Sequence, residues 1–114
     1  MARSFAVAAS EALTASFATI AGAPFTMACR FRATNITAAH LLMGLRLSAT
    51  NNFELAARGN VAGDPIRFRA ESSLPANSST DTSTGYSANT WHHACGVAAA
   101  VDSRTVYLDA GGSA

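Results

Sequence analysis

The stretch TWHHACGVAAAVDSRTVYLD, residues 90–109, carries the clearest structural pattern at the end of the chain. Its first half alternates with the period of two that is typical of a β-strand. We expect one side of this strand to face the core, and that side carries Trp91, His93, Cys95 and Val97. His92 then lies on the outer face. VDSR forms a turn, and TVYLD supplies a second strand.

Four more segments alternate in the same way, and turn residues separate them. The side chains expected to face inward are Phe25, Met27, Cys29 and Phe31 in the first segment, Leu41, Met43, Leu45 and Leu47 in the second, Phe53, Leu55 and Ala57 in the third, and Ile66, Phe68 and Ala70 in the fourth. The second and third segments are expected to form a hairpin. Residues 72–90 are rich in Ser, Thr and Asn and predict a long surface loop with room for a short strand. The whole pattern predicts an all-β protein, an antiparallel β-sandwich.

The composition limits the class of protein. A chain of 114 residues has the length of one domain, so residues 1–114 are read as a single unit. The net charge is +1 and the arginines are scattered, which argues against nucleic acid as a partner. No apolar run is long enough to cross a membrane. Ser10 and Glu11 interrupt the apolar start, so we expect a mature protein made in a cytoplasm. Cys29 and Cys95 could form one bridge, but free thiols are the favoured interpretation.

Two stretches resemble a known family. NTWHHACGVAAAVDSRTVYLDAGG is similar to the signature of concanavalin A-like jelly-roll domains of the laminin G type, in which a Trp-x-His strand leads through a turn to a Tyr-x-Asp-Gly hairpin. PFTMACRFRA is similar to the early core strand of that family, and here it ends in Phe31. AGDPIRFRA and TSTGYSANTWHHACGV resemble laminin G-like proteins of tailed bacteriophages. The resemblance implies a jelly roll and a component of the virion or tail.

The chain departs from this family at both ends. Phe5 and Leu13 stand where the family has core residues, but the usual Gly and Asp nearby are missing. The family fold continues for several strands beyond the Tyr-x-Asp hairpin, whereas this sequence stops at Ala114. A jelly roll without its last strands would leave a sheet edge unpaired. We therefore expect other copies of the chain or another phage structural protein to complete it, unless the sequence is a truncation.

The His and acidic residues give little indication of metal binding or catalysis. Successive side chains of a strand point to opposite faces, so His92 and His93 cannot chelate one ion, and His93 with Cys95 finds no further ligand at metal-binding spacing. Glycosidases on related folds need two carboxylates close together. No two acidic residues here share a strand face, so we expect no enzyme, no metal and no cofactor.

Two ligand classes stay open. A calcium ion could use oxygen atoms of the polar loop or the hairpin, from Asn77, Asp81, Asn89 or Asp109, although turn formation is the favoured role of such residues. A sugar would need an exposed aromatic ring beside amides, and Tyr86 with Asn89 is the best pair. The competing interpretation of Tyr86 is that its ring fastens the loop to the sandwich.

The sequence thus favours a non-enzymatic structural or attachment module of a bacteriophage particle, either a capsid decoration protein or a tail-associated one. It would be located in the virion and act through protein–protein packing. The alternative is a lectin-like module that binds a surface glycan.

Overall fold

The computed structural model describes residues 24–46, 52–71, 78–100 and 103–112, and these residues form a β-sandwich of two antiparallel sheets. The strands are β1 (Phe25–Phe31), β2 (Ala39–Arg46), β3 (Asn52–Arg58), β4 (Pro65–Glu71), β5 (Ser78–Gly85), β6 (His92–Ala100) and β7 (Ser103–Leu108). Within these ranges no helix has the length and apolar character needed to span a membrane. The expectations for Phe5, Leu13, Leu47 and Asn77 concern positions outside the described residues.

One sheet has three strands in the order β1-β6-β7, and the other has four in the order β2-β3-β4-β5. The chain leaves the first sheet after β1, forms the second sheet as a meander and returns as the β6–β7 hairpin. Both predicted hairpins, β2–β3 and β6–β7, are confirmed as antiparallel pairs. Residues from both sheets form one core cluster, so the two layers pack face to face.

Alternation predicted the inward faces of β3 and β4 correctly. Leu55, Ala57, Ile66 and Phe68 are fully buried. On β1, Met27 and Phe31 are buried, while Phe25 and Cys29 are partly buried against the same cluster. These strands each bury one face, and an alternating apolar pattern therefore identifies that face directly.

The prediction for β2 was wrong in part. Leu41, Met43 and Leu45 were expected to share the inward face, but the pairing of β2 with β3 shifts by one residue between Leu41 and Met43. Leu41 is therefore turned outward and exposed, and Leu42 packs against the core in its place. Met43 and Leu45 keep the predicted inward side, since Met43 lies opposite the buried Leu55, but Met43 is 39% exposed at the sheet edge. A β-bulge changes which face the side chains take, because the alternation has a period of exactly two residues.

The polar segment after β4 contains a complete strand, β5, within the predicted loop. Its sequence, SSTDTSTG, has no large apolar residue to mark an inward face. Thr82 is buried, and its hydroxyl accepts a hydrogen bond from the Ile66 N–H (2.9 Å) and donates one to the Thr84 carbonyl (2.6 Å). These hydrogen bonds satisfy the hydroxyl inside the sandwich and allow a polar side chain to serve as a core residue.

The predicted orientation of β6 was also wrong. Trp91 and His93 were placed on the buried face, but Trp91 is 49% exposed and His93 is exposed, while Cys95 and Val97 are only half-buried on the outer side. The buried positions of β6 are instead His92, Ala94, Gly96 and Ala98. The register with β1 fixes this choice, since the inward Met27 lies opposite Gly96 and the inward Phe31 lies opposite His92.

The reason for the inversion lies in the opposite sheet. Phe68 of β4 is fully buried, and its ring lies against the backbone of β6 at Gly96. A Cβ on Gly96 would lie 2.7 Å from Cγ and from Cδ2 of this ring. One large side chain therefore fills the space between the sheets at this point, and β6 has room only for a small residue at position 96.

Candidate functional site

His92 is the polar centre of the end of the sandwich where β6 begins. Its side chain is buried beside the rings of Phe31 and Tyr86. Its Nε2 accepts a hydrogen bond from the Ser87 N–H (3.0 Å), and its Nδ1 lies 2.7 Å from Oδ2 of Asp109. Nε2 is the acceptor, so Nδ1 carries the proton and donates to the carboxylate. His92 thus joins the loop after β5 to the turn after β7.

This arrangement resembles a catalytic His–Asp pair, but its chemistry is different. A general base needs a free imidazole nitrogen within reach of the proton it removes. Here a backbone N–H occupies Nε2, and the carboxylate occupies Nδ1. Neither nitrogen is free for a substrate or a nucleophile, and the pair orients the polypeptide chain.

Asp109, directly after β7, joins the end of β7 to the start of β6. Its Oδ1 accepts a hydrogen bond from the His93 N–H (2.9 Å), and its own N–H donates to the His93 carbonyl (2.8 Å). Its φ of 51° lies in the left-handed region, which Asp tolerates better than most residues do. The hydrogen bond from the His93 N–H, then that from His92, lowers the pKa of the Asp109 carboxyl from its ordinary value.

Stability at acidic pH tests these contacts. Asp81 also has a lowered pKa, chiefly because Arg67 donates hydrogen bonds to it. A carboxyl whose pKa is lower in the folded chain adds stability above its ordinary pKa of 3.8, and this stability is lost as the pH falls through the folded value. We expect Asp81→Asn and Asp109→Asn each to flatten the fall in the free energy of unfolding below about pH 4, and the double variant to flatten it further. Urea unfolding from neutral to acidic pH measures this, and a double variant that runs parallel to the wild type would contradict it.

Tyr86 does not have the exposure that the sugar-site prediction required. Its side chain is 3% exposed, and its ring packs edge-on against Phe31 with centroids 5.7 Å apart. A Cβ on Gly59 would lie 2.6 Å from the Tyr86 hydroxyl oxygen, so the phenol ends against backbone. Burial raises the pKa of Tyr86. The ring fastens the loop to the sandwich, and a sugar cannot stack on it.

The exposed aromatic residue is Trp91, immediately before β6 and 49% exposed. The Arg30 guanidinium carbon lies 5.6 Å from the centroid of its ring, within cation–π range. Arg30 is paired in register with His93 across β1 and β6, and both side chains are exposed on the outer face of the three-stranded sheet. We call Trp91, Arg30 and His93 the Trp91 cluster. The alternation pattern missed it because the pattern assigned Trp91 and His93 to the core.

The second sheet carries a charged outer face. Arg67 donates two hydrogen bonds to the carboxylate of Asp81, from Nε at 2.6 Å and from Nη2 at 2.8 Å. Arg69 lies 3.8 Å from Glu54 through Nη1 and Oε2. Glu54 and Asp81 thus share a sheet face although they share no strand, a relation that strand-by-strand analysis could not reveal. Both carboxylates are paired with arginine.

The remaining candidates are spread over the fold. Cys29 and Cys95 are free thiols, and they lie on the inner side of β1 and the outer side of β6 respectively. Among the described residues, no three His, Cys, Asp or Glu side chains are grouped so that they could hold a metal ion. Of the calcium candidates, Asp81 contacts Arg67 and Asp109 contacts His92. Asn89 has a φ of 56°, and its N–H donates to the Ala33 carbonyl (2.7 Å).

Comparison with known proteins gives no relative for this arrangement: no protein-family model, no curated protein and no solved structure matches the chain.

Proposed function

We propose that this chain is a non-enzymatic packing module that associates with further copies of itself through the edge strand β2. The observation that carries the proposal is the exposure of two large apolar side chains on that strand. Leu41 is 64% exposed and Met43 is 39% exposed. β2 lies at one edge of the described four-stranded sheet, and such edges are usually protected by charge, proline or a covering segment.

The local geometry of β2 supports this role. The register shift between Leu41 and Met43 turns the Leu41 side chain outward, whereas Met43 lies opposite the buried Leu55 and is 39% exposed at the edge of the sheet. Leu42 and Leu45 keep their contacts with the core. An edge strand offers unpaired backbone groups to a neighbouring strand, and apolar side chains beside them add buried area on association. A second copy of β2 offers the same unpaired backbone groups and the same apolar side chains, so two copies can pair about a twofold axis.

A non-enzymatic role agrees with the polar groups described above. The two nitrogens of His92 are both engaged, and Asp81 and Glu54 both face arginines. A glycosidase acid needs a carboxyl with a raised pKa, whereas the pKa of Asp81 is lowered. The assignment to a phage particle, as a capsid decoration or tail-associated protein in the virion, is also part of this proposal. It depends on the resemblance of the AGDPIRFRA and TSTGYSANTWHHACGV stretches alone.

Light scattering and sedimentation velocity test the association. We expect the wild-type chain to self-associate between about 1 and 100 µM, and the double variant Leu41→Lys/Met43→Lys to be monomeric over the same range. Both replaced side chains are exposed, so the variant should keep the wild-type free energy of unfolding within about 0.5 kcal/mol.

The matched control is Ala99→Lys/Ala100→Lys, which places the same two added charges on exposed positions of β6 away from β2. This control should associate like the wild type. A wild-type chain that stays monomeric throughout, or a double variant that associates unchanged, would contradict the proposal.

A further inference from the structure

We infer that the Trp91 cluster binds a carboxylate-bearing sugar of an acidic glycan. The site is separate from the β2 edge: it lies on the outer face of the other sheet, so the two surfaces can be tested independently. It also differs from the sugar site expected at Tyr86, whose ring is buried.

Trp91 provides the apolar surface. Pyranose rings have flat apolar faces that pack on aromatic side chains, and an indole offers the largest such surface among the amino acids. Half of the Trp91 side chain is accessible, and it is the only tryptophan in the chain. The exposed part of the ring is therefore available to a ligand.

Arg30 provides the charge. A guanidinium placed over an aromatic face keeps its N–H groups at its edge, where they match the two oxygens of a carboxylate. Within the described residues no carboxylate pairs with Arg30, whereas Arg67 and Arg69 of the other sheet each face an acidic side chain. Arg32, two residues further along, is also exposed and adds positive charge. Asp109 lies nearby, but both of its oxygens accept hydrogen bonds, from His92 and from the His93 N–H.

The segment that carries Trp91 is held at several points. The Ser87 N–H donates to His92, the Asn89 N–H donates to the Ala33 carbonyl, and the Thr90 hydroxyl donates to the Ala88 carbonyl. A ring positioned in the free protein costs less entropy on binding than a ring on an unrestrained loop. Asn89 and His93, two residues before and two residues after Trp91, have exposed side chains that can hydrogen-bond to sugar hydroxyl groups.

The position of the cluster favours a sugar over an acidic peptide. Extended peptides are usually bound along a sheet edge or in a groove between elements. Trp91 directly precedes β6, the central strand of its sheet, which pairs with β1 on one side and β7 on the other. The backbone of β6 is therefore not available to a peptide strand, and the cluster offers side chains only.

Trp91 allows a direct measurement, because its fluorescence reports on the site alone. The probes are trigalacturonic acid, the corresponding neutral galactose trisaccharide and a short polyglutamate peptide. We expect a saturable change in fluorescence with the acidic trisaccharide, and an affinity at least about 10-fold weaker for both other probes. Added salt should weaken the binding, since the ion pair is exposed to solvent.

Variants separate the contribution of the Arg30 charge from that of the Trp91 ring. Arg30→Gln should lower the affinity for trigalacturonic acid by about 10-fold or more, and Trp91→Leu should abolish the heat of binding in calorimetry. Arg58→Gln removes a positive charge from the other sheet and should bind like the wild type. Equal binding of the neutral trisaccharide or of polyglutamate, or an unchanged affinity in Arg30→Gln, would overturn the inference. Trp91→Leu should leave self-association unchanged, so failure of one proposal does not affect the other.

Discussion

Replacing Phe68 by alanine is expected to lower the free energy of unfolding by about 3–5 kcal/mol, the largest effect of any single substitution considered for this chain. Phe68 is fully buried between the sheets, and its ring also contacts Phe25 and Phe53, with centroids 6.4 and 6.3 Å away. The residues opposite it on β6 are small, so they cannot fill the cavity that the truncation would leave. Urea unfolding at neutral pH measures the loss.

Gly96 provides the internal control for this prediction. In the wild-type background Gly96→Ala should destabilise the chain, because the added methyl group would lie 2.7 Å from the Phe68 ring. In the Phe68→Ala background the same substitution should cost much less, since the ring is gone. A double-mutant cycle measures the coupling between the two positions. If the two effects simply add, Phe68 does not determine the space available to β6.

The second large effect is expected at His92. His92→Leu keeps roughly the same volume but leaves the Ser87 N–H and the Asp109 carboxylate without their partner, which should cost about 1–3 kcal/mol. Proteolysis should also become faster in the loop between β5 and β6, because His92 holds that loop to the hairpin. Chemical unfolding and limited proteolysis report the two effects separately.

The neighbouring histidine is the matched control. His93→Leu makes the same chemical change one residue away, but the His93 side chain is exposed, so the effect on stability should stay within about 0.5 kcal/mol. The alternation pattern of the sequence predicts the opposite order, with His93 in the core. A larger loss for His93→Leu than for His92→Leu would show that the orientation of β6 described here is wrong.

Much of the fold could be predicted from local pattern. β3 and β4 alternate strictly, and their inward residues Leu55, Ile66 and Phe68 are the ones that the pattern selects. The alternation pattern failed in β2 and β5. In β2 a register shift turns Leu41 outward, and in β5 the sequence has no large apolar side chain to mark a strand.

Less of the candidate sites could be predicted. The sequence pattern assigned Trp91 and His93 to the core and His92 to the outer face. In the structure Trp91 and His93 are exposed and His92 is buried. Tyr86 was selected for its polar surroundings, yet its ring lies in the core. The contact of Arg30 with Trp91 could not be found from spacing, because Trp91 precedes a different strand and lies more than fifty residues further along the chain.

The sequence by itself determined that this chain is an all-β sandwich of antiparallel hairpins, because alternation and turn residues are local properties that each segment carries alone. Only the tertiary structure decided which side of β6 is buried. Both sides of that strand have apolar residues, and the choice depends on Phe68, a large side chain from the other sheet that leaves room for Ala94, Gly96 and Ala98. The same choice turns Trp91 and His93 outward and places them beside Arg30, where a ligand can reach them.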